Sequence, residues 1–86
     1  MKRKKAAALK YDKGLSSPIV TAMGFGEFAE RMIDTAIESD VPVVENEELV
    51  STLSNVPVGE NIPEELYEIV AEILAYIYSI EKNKNT

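Results

Sequence analysis

Residues 19–39 read IVTAMGFGEFAERMIDTAIES, and their periodicity changes at two glycines. Residues 19–23 form a short apolar run with β-branched side chains, which is typical of a β-strand. Gly24 and Gly26 interrupt this run. Beyond them, apolar side chains recur at helical spacing with charged side chains opposite, which predicts an amphipathic helix over residues 25–39. A strand followed at once by a helix is therefore the unit from which the fold is built.

The flanking segments extend this unit into a small α/β (α+β) domain. Pro42 prevents continuation of the helix, and residues 41–45 form a β-branched run that predicts a third strand. Upstream, residues 6–11 predict a first strand, which a turn-rich loop joins to the second. A strand-helix-strand unit implies a right-handed crossover between parallel strands, whereas a short loop suits an antiparallel pair. We therefore expect a mixed sheet of three strands.

Two more helices complete the predicted order β-β-α-β-α-α. Asn46 is a candidate N-cap for a short helix over residues 47–55, whose first turn carries two glutamates. Pro63 suits the first position of a last helix that is predicted to end near Glu81. We expect one domain over residues 6–81. It lies between a basic lead of residues 1–5, expected to be flexible, and a polar tail of residues 82–86.

The last helix carries two apolar rows, of which the sequence explains only one. The expected core stripe consists of Leu66, Ile69, Val70, Ile73, Ile77 and Ile80. The second row consists of Tyr67, Ala71, Leu74 and Tyr78. Together the two rows cover more than half of the helix circumference. Two interpretations stay open: the second row packs under the short helix as core, or it is a partly exposed docking patch.

The composition argues against most kinds of enzyme. The 86 residues include no cysteine and no histidine. A disulfide framework, a thiolate nucleophile, an imidazole base and a conventional zinc site are therefore excluded. We expect no enzymatic activity, no cofactor and no metal.

The charge distribution argues against nucleic acid and membrane partners. The net charge is −6, but residues 14–81 carry fourteen carboxylates against one arginine, which gives that span −13. Such a surface repels phosphates, so we expect no nucleic acid partner. The longest uninterrupted apolar run is residues 73–78, far shorter than the roughly 20 residues that cross a bilayer. We therefore expect no stable membrane insertion and a cytoplasmic location.

Four separated blocks carry a resemblance to a known family. They are residues 10–12 (KYD), 17–20 (SPIV), 41–46 (VPVVEN) and 58–67 (VGENIPEELY). In this order and approximate spacing, the chain resembles the cytoplasmic domain of the flagellar and type III secretion export-switch proteins, the FlhB/YscU/EscU family. The resemblance covers about residues 6–81. It implies a protein-interaction module of protein export, whose partners are export substrates or components of the export gate.

The resemblance also points to two departures. In the family, the first strand follows the self-cleavage site Asn-Pro-Thr-His, and the aligned residues here are Met1, Lys2, Arg3 and Lys4. Self-cleavage needs an asparagine that a strained turn before proline orients for attack on its own carbonyl. No asparagine in this chain precedes a proline, so we expect a non-cleaving homologue. Full-length relatives also carry a transmembrane half, so we expect a stand-alone form.

The resemblance further implies a binding patch, where an Ala-Pro pair before the second strand meets the last helix. The aligned positions are Ser17, Pro18, Ala71 and Leu74, with Ser17 making the patch slightly more polar. Tyr67 and Tyr78 belong to the same helix row as the last two. The predicted partner-binding residues are therefore Ser17, Pro18, Tyr67, Ala71, Leu74 and Tyr78.

The first strand lacks the neighbour that precedes it in the family. Its edge is then either protected by lysines in a monomer or open to strand pairing with another chain. A second function also stays open, that of a small acidic regulatory or structural domain unrelated to secretion.

Overall fold

The computed structural model describes residues 4–12 and 14–84, with only the backbone for residues 82–84. Its elements are β1 (Lys5–Lys10), β2 (Ile19–Phe25), α1 (Glu27–Glu38), α2 (Glu47–Leu53), a 3-10 turn (Glu64–Leu66) and α3 (Tyr67–Lys84). The predicted α+β class is confirmed, with each predicted helix in its expected place. Residues 1–3 of the predicted lead and residues 85 and 86 of the predicted tail lie outside the described residues.

The two strands form an antiparallel hairpin whose register shifts once. Ala8 lies opposite Ala22, whereas Leu9 lies opposite Val20, so Thr21 is an extra residue in β2. The Thr21 hydroxyl donates to the carbonyl oxygen of Ala8 at 3.3 Å. This is a β-bulge, which increases the local twist of the hairpin.

The predicted third strand is not formed, and the prediction of a mixed sheet is therefore wrong. In the described part of the chain the sheet has two strands, and residues 41–45 belong to no helix or strand. Val41, Val43 and Val44 of this segment are all exposed. A β-branched run predicts a preference for extended backbone, which is not enough to form a strand without a partner edge.

Another segment occupies part of the second edge of β2. Ile19 forms an isolated antiparallel bridge with Asn61. The Val20 amide donates to the Glu60 carbonyl at 3.0 Å, and the Gly59 amide donates back to Val20 at 2.7 Å. Gly59 has a φ of 97°, a conformation that favours glycine. The chain after α2 thus provides the backbone partners that the sequence had assigned to residues 41–45.

The hydrophobic core lies on one face of the hairpin. Its buried members are Val20, Leu49, Leu53, Ile62, Leu66 and Val70. Ala7 and Leu9 of β1 pack against this cluster. Because successive side chains of a strand point to opposite faces, Ala6 and Ala8 point away from it. The core therefore consists of one face of the β1–β2 hairpin together with α2, the segment before α3, and the start of α3.

Helix α1 packs on the opposite face of the hairpin. Gly24 lies opposite Ala6 in the sheet, and a Cβ atom on Gly24 would lie 2.6 Å from the Met32 sulfur and 3.2 Å from the Ala29 amide nitrogen. Ala29 itself is fully buried. Small side chains on this face allow the helix to approach the sheet closely, so a larger residue at position 24 would force the two apart.

Helices α2 and α3 begin close to the positions that the sequence predicts. The Asn46 side chain accepts a hydrogen bond from the Leu49 amide at 2.9 Å, which confirms it as the N-cap of α2. Pro63 precedes the 3-10 turn that leads directly into α3. The backbone of α3 continues to Lys84, a short distance beyond the predicted end at Glu81.

Candidate partner-binding site

A cavity of about 280 Å³ lies between the loop that joins β1 to β2 and the first turns of α3. Its lining residues are Tyr11, Ser16, Ser17, Pro18, Tyr67, Val70, Ala71 and Leu74. We call it the Ser17 cavity. None of its lining residues is charged, although the domain around it is strongly acidic. The cavity therefore suits an uncharged group.

The cavity has an apolar floor and an aromatic rim. Val70 and Pro18 are buried, and Leu74 is half-buried and packs against the core. Tyr11 and Tyr67 are exposed at the rim. An apolar pocket with a few polar groups at its edge is the usual form of a binding site for a side chain or a small ligand. The phenol hydroxyls can hydrogen-bond to a partner backbone while their rings cover its apolar side chain.

The loop wall is fixed by a contact from a distant part of the chain. The Asn61 Nδ2 atom donates to the Ser17 hydroxyl at 2.8 Å and lies 3.4 Å from the Ser17 carbonyl oxygen. The Ile62 amide donates to the Pro18 carbonyl at 3.0 Å. Ser17 is only 3% exposed, so its hydroxyl serves this internal contact. We call these hydrogen bonds the Asn61 clamp.

The structure brings most of the sequence-predicted site residues together. Ser17, Pro18, Tyr67, Ala71 and Leu74 all line the same cavity. Tyr78 is 74% exposed and does not line it, because the helix rise places it about 10 Å along the axis from Ala71. Of the two interpretations of the second apolar row, partial exposure describes it better: Leu74 contacts the core, whereas Tyr67, Ala71 and Tyr78 are exposed.

Sequence reasoning missed four residues that form the site. They are Tyr11, Ser16 and Val70 in the lining, and Asn61 in the clamp. The sequence signal that could have indicated Tyr11 and Asn61 is that both lie in blocks that carry the family resemblance. No local periodicity links either residue to α3, because each reaches the site through tertiary contacts.

Among the residues described, no group of three or more acidic side chains is arranged to hold a metal ion. Likewise, within the described ranges no helix is long and apolar enough to cross a membrane.

Comparisons with known proteins extend this description. The sequence model of the FlhB HrpN YscU SpaS family matches residues 4–77. The chain is 40% identical over 81 residues to the uncharacterized protein YlqH of Bacillus subtilis, an alignment that covers 93% of this chain and 87% of YlqH. It is 43% identical over 82 residues to the flagellar biosynthetic protein FlhB of Borreliella burgdorferi, with coverage of 93% and 22%.

A solved structure agrees with the sequence matches. A crystal structure of a mutated EscU C-terminal domain superposes with a TM-score of 0.83 at 30% identity, covering 87% of this chain and 93% of that domain. The chain thus spans most of YlqH and of this EscU domain but only about a fifth of FlhB, 22% of its length. The family resemblance predicted from the four blocks is confirmed, and the chain belongs to the FlhB HrpN YscU SpaS family of export-switch proteins.

Proposed function

We propose that this chain is a non-enzymatic, cytoplasmic interaction module of flagellar or type III protein export. It binds export substrates or export-apparatus components through the Ser17 cavity. The observation that carries this proposal is the cavity itself, which is uncharged and apolar and unites two distant segments of the chain. Membership in the export-switch family supports this class of partner.

The chemistry of the cavity favours one apolar side chain of the partner as an anchor. Val70 and Leu74 provide an apolar floor, and Tyr67 provides a rim. Complete burial of one large apolar side chain contributes roughly 1.5–3 kcal/mol. The cost of association, about 4–15 kcal/mol, exceeds this gain, so the anchor acts together with other contacts of the partner. The module therefore binds its partner transiently, as suits a protein that releases each substrate in turn.

Binding takes place without self-cleavage. None of the asparagines in the chain precedes a proline, so the turn that orients the side-chain amide for backbone attack is missing. The purified protein is expected to keep one intact mass over days at neutral pH. Detection by mass spectrometry of two fragments, one from each end of the chain, would contradict this part of the proposal.

The proposal is tested with one matched pair of variants on α3. Ala71→Asp places a carboxylate in the Ser17 cavity, whereas Ala75→Asp makes the same change one turn later at an exposed position outside the cavity. Both variants should fold, because both alanines are exposed. Export proteins captured by the wild-type domain from its native cell are purified and titrated against each variant by calorimetry. Ala71→Asp should weaken binding about tenfold or more.

Leu74 provides a second, milder test. Leu74 packs partly against the core, so Leu74→Asp would combine a binding effect with a loss of stability. Leu74→Ala avoids a buried charge and should weaken binding severalfold while circular dichroism shows a folded domain. Equal affinities of Ala71→Asp, Ala75→Asp and wild type would overturn the cavity as the binding site.

A second binding mode concerns the outer edge of β1. The Gly26 amide donates to the Lys4 carbonyl at 2.8 Å, so the alternation of an antiparallel pair turns the backbone groups of Lys5 and Ala7 away from β2. Within the described ranges, no backbone hydrogen bond reaches that edge. We propose that it accepts a strand from another chain. Two measurements test strand pairing: light scattering over a range of concentrations, and titration with a peptide of the segment that precedes this domain in FlhB. If neither a dimer nor peptide binding is detected, strand pairing at β1 is refuted.

A further inference from the structure

A second groove lies beside the other end of α3. Its volume is about 340 Å³, and it separates the last turns of α3 from the end of α1 and the segment that follows. Its lining residues are Ile37, Asp40, Val41, Pro42, Ile77, Ile80 and Glu81. We call it the α1–α3 groove. It shares no lining residue with the Ser17 cavity.

The groove presents large apolar side chains to solvent. Ile37 is 61% exposed, Val41 53% and Ile80 47%. Val43 and Val44 continue the apolar surface along the chain, and both are also exposed. A contiguous apolar surface of this kind marks an interaction site more often than scattered single residues do.

The charges around the groove indicate the sign of its occupant. Asp40 and Glu81 line the groove, and the exposed Glu38 directly follows the lining residue Ile37 in the sequence. The cation nearest to these residues in the sequence is Lys82. Helix α1 has no basic residue in its last turn, so no cation there offsets the negative end of its dipole. A second copy of this domain would bring acidic rims face to face. Charge complementarity thus favours a basic partner over self-association.

The two walls of the groove favour a helix over an extended segment as the occupant. Ile77 and Ile80 are three positions apart on one face of α3. The opposite wall contains Pro42, which has no backbone amide to donate to a partner strand. We propose that the α1–α3 groove docks a basic amphipathic helix of another protein, with its apolar stripe between α1 and α3 and its cations against Asp40 and Glu81.

The probe for this proposal is a synthetic helical peptide of about four turns, with leucines at i, i+3, i+4 and i+7 and lysines elsewhere. Fluorescence anisotropy measures its affinity for the full 86-residue chain. Ile37→Ser and Ile80→Ser remove apolar contact without adding a charge that would attract the lysines, and each should weaken binding severalfold or more. The matched control is Tyr76→Ser, which alters an exposed side chain of α3 outside the groove and should leave the affinity unchanged.

Further controls separate docking from general charge attraction. A peptide of the same composition with scrambled leucines, and one with glutamate for lysine, should both bind at least tenfold more weakly. Tyr67→Ser in the Ser17 cavity should leave this affinity unchanged, so each site is tested independently of the other. The proposal is overturned if the lysine peptide does not bind, if the scrambled peptide binds equally well, if Tyr76→Ser weakens binding as much as Ile80→Ser, or if light scattering shows a dimer that Ile80→Ser disrupts.

Discussion

Both ends of α3 carry large apolar side chains, but they differ in what covers these side chains. Near its start, Leu66 of the 3-10 turn and Val70 are buried at 9% and 2% exposure. Near its end, Tyr78 and Ile80 are 74% and 47% exposed. The first end packs into the core formed with β2 and α2, whereas the second faces the end of α1 and the segment that follows it across the open α1–α3 groove. Helical periodicity indicates which side chains can share a face, and the rest of the fold decides whether that face is covered.

The largest effect should come from truncating an apolar side chain at each end. Val70→Ala removes buried methyl groups and should lower the free energy of unfolding by about 2 kcal/mol. Ile80→Ala removes partly solvated methyl groups and should lower it by less than about 0.5 kcal/mol. Urea denaturation followed by circular dichroism measures both. Equal losses would mean that the two ends are equally covered, and the comparison would not hold.

The Asn61 clamp tests what holds the covered end in place. Asn61→Ala leaves the buried Ser17 hydroxyl without its 2.8 Å partner, which should lower stability by about 1–2 kcal/mol. Asn55→Ala, an exposed asparagine two residues beyond α2, provides the control and should change stability by less than about 0.5 kcal/mol. The same urea titrations compare them. An Asn61→Ala variant as stable as wild type would show that the loop wall stands without this contact.

A pair of tyrosines tests whether position along α3 determines partner binding. Tyr67 lines the Ser17 cavity and Tyr78 does not, although both are exposed. Tyr67→Ser should therefore weaken partner binding by about 1 kcal/mol, a severalfold change, with Tyr78→Ser close to wild type. Calorimetric titration of the captured partner measures both affinities. A larger loss for Tyr78→Ser would restore that residue to the binding site predicted from the sequence.

The smallest effect should be that of salt on the Ser17 cavity. Its lining is uncharged, whereas the α1–α3 groove contains Asp40 and Glu81. Between about 0.05 and 0.5 M salt, the screening length falls severalfold. Affinity at the cavity should change less than about twofold, while the lysine peptide at the groove should bind several times more weakly. Equal salt dependence at both sites would contradict this contrast.

Local signals in the sequence predicted much of the fold. Gly26 between β2 and α1, the Asn46 cap and Pro63 all act within a few residues of the feature that they determine. Residues 41–45 failed as a strand because the pairing of Val20 with Gly59 and Glu60 depends on chain segments about 40 residues apart. The same limit applies to the site. The family resemblance implied its loop and helix positions, whereas the roles of Tyr11 and Asn61 emerge only from tertiary structure.

The Asn61 clamp has a consequence for synthesis of the protein on the ribosome. Ser17 and Asn61 are 44 residues apart in the chain, so this contact closes a long loop whose entropy must be offset by packing. The β1–β2 hairpin and α1 emerge earlier and depend on contacts close in sequence. A nascent chain that ends before Asn61 contains these elements, yet it has neither the clamp nor α3 to complete the cavity. Competence to bind a partner there is therefore acquired only when the last third of the chain has emerged.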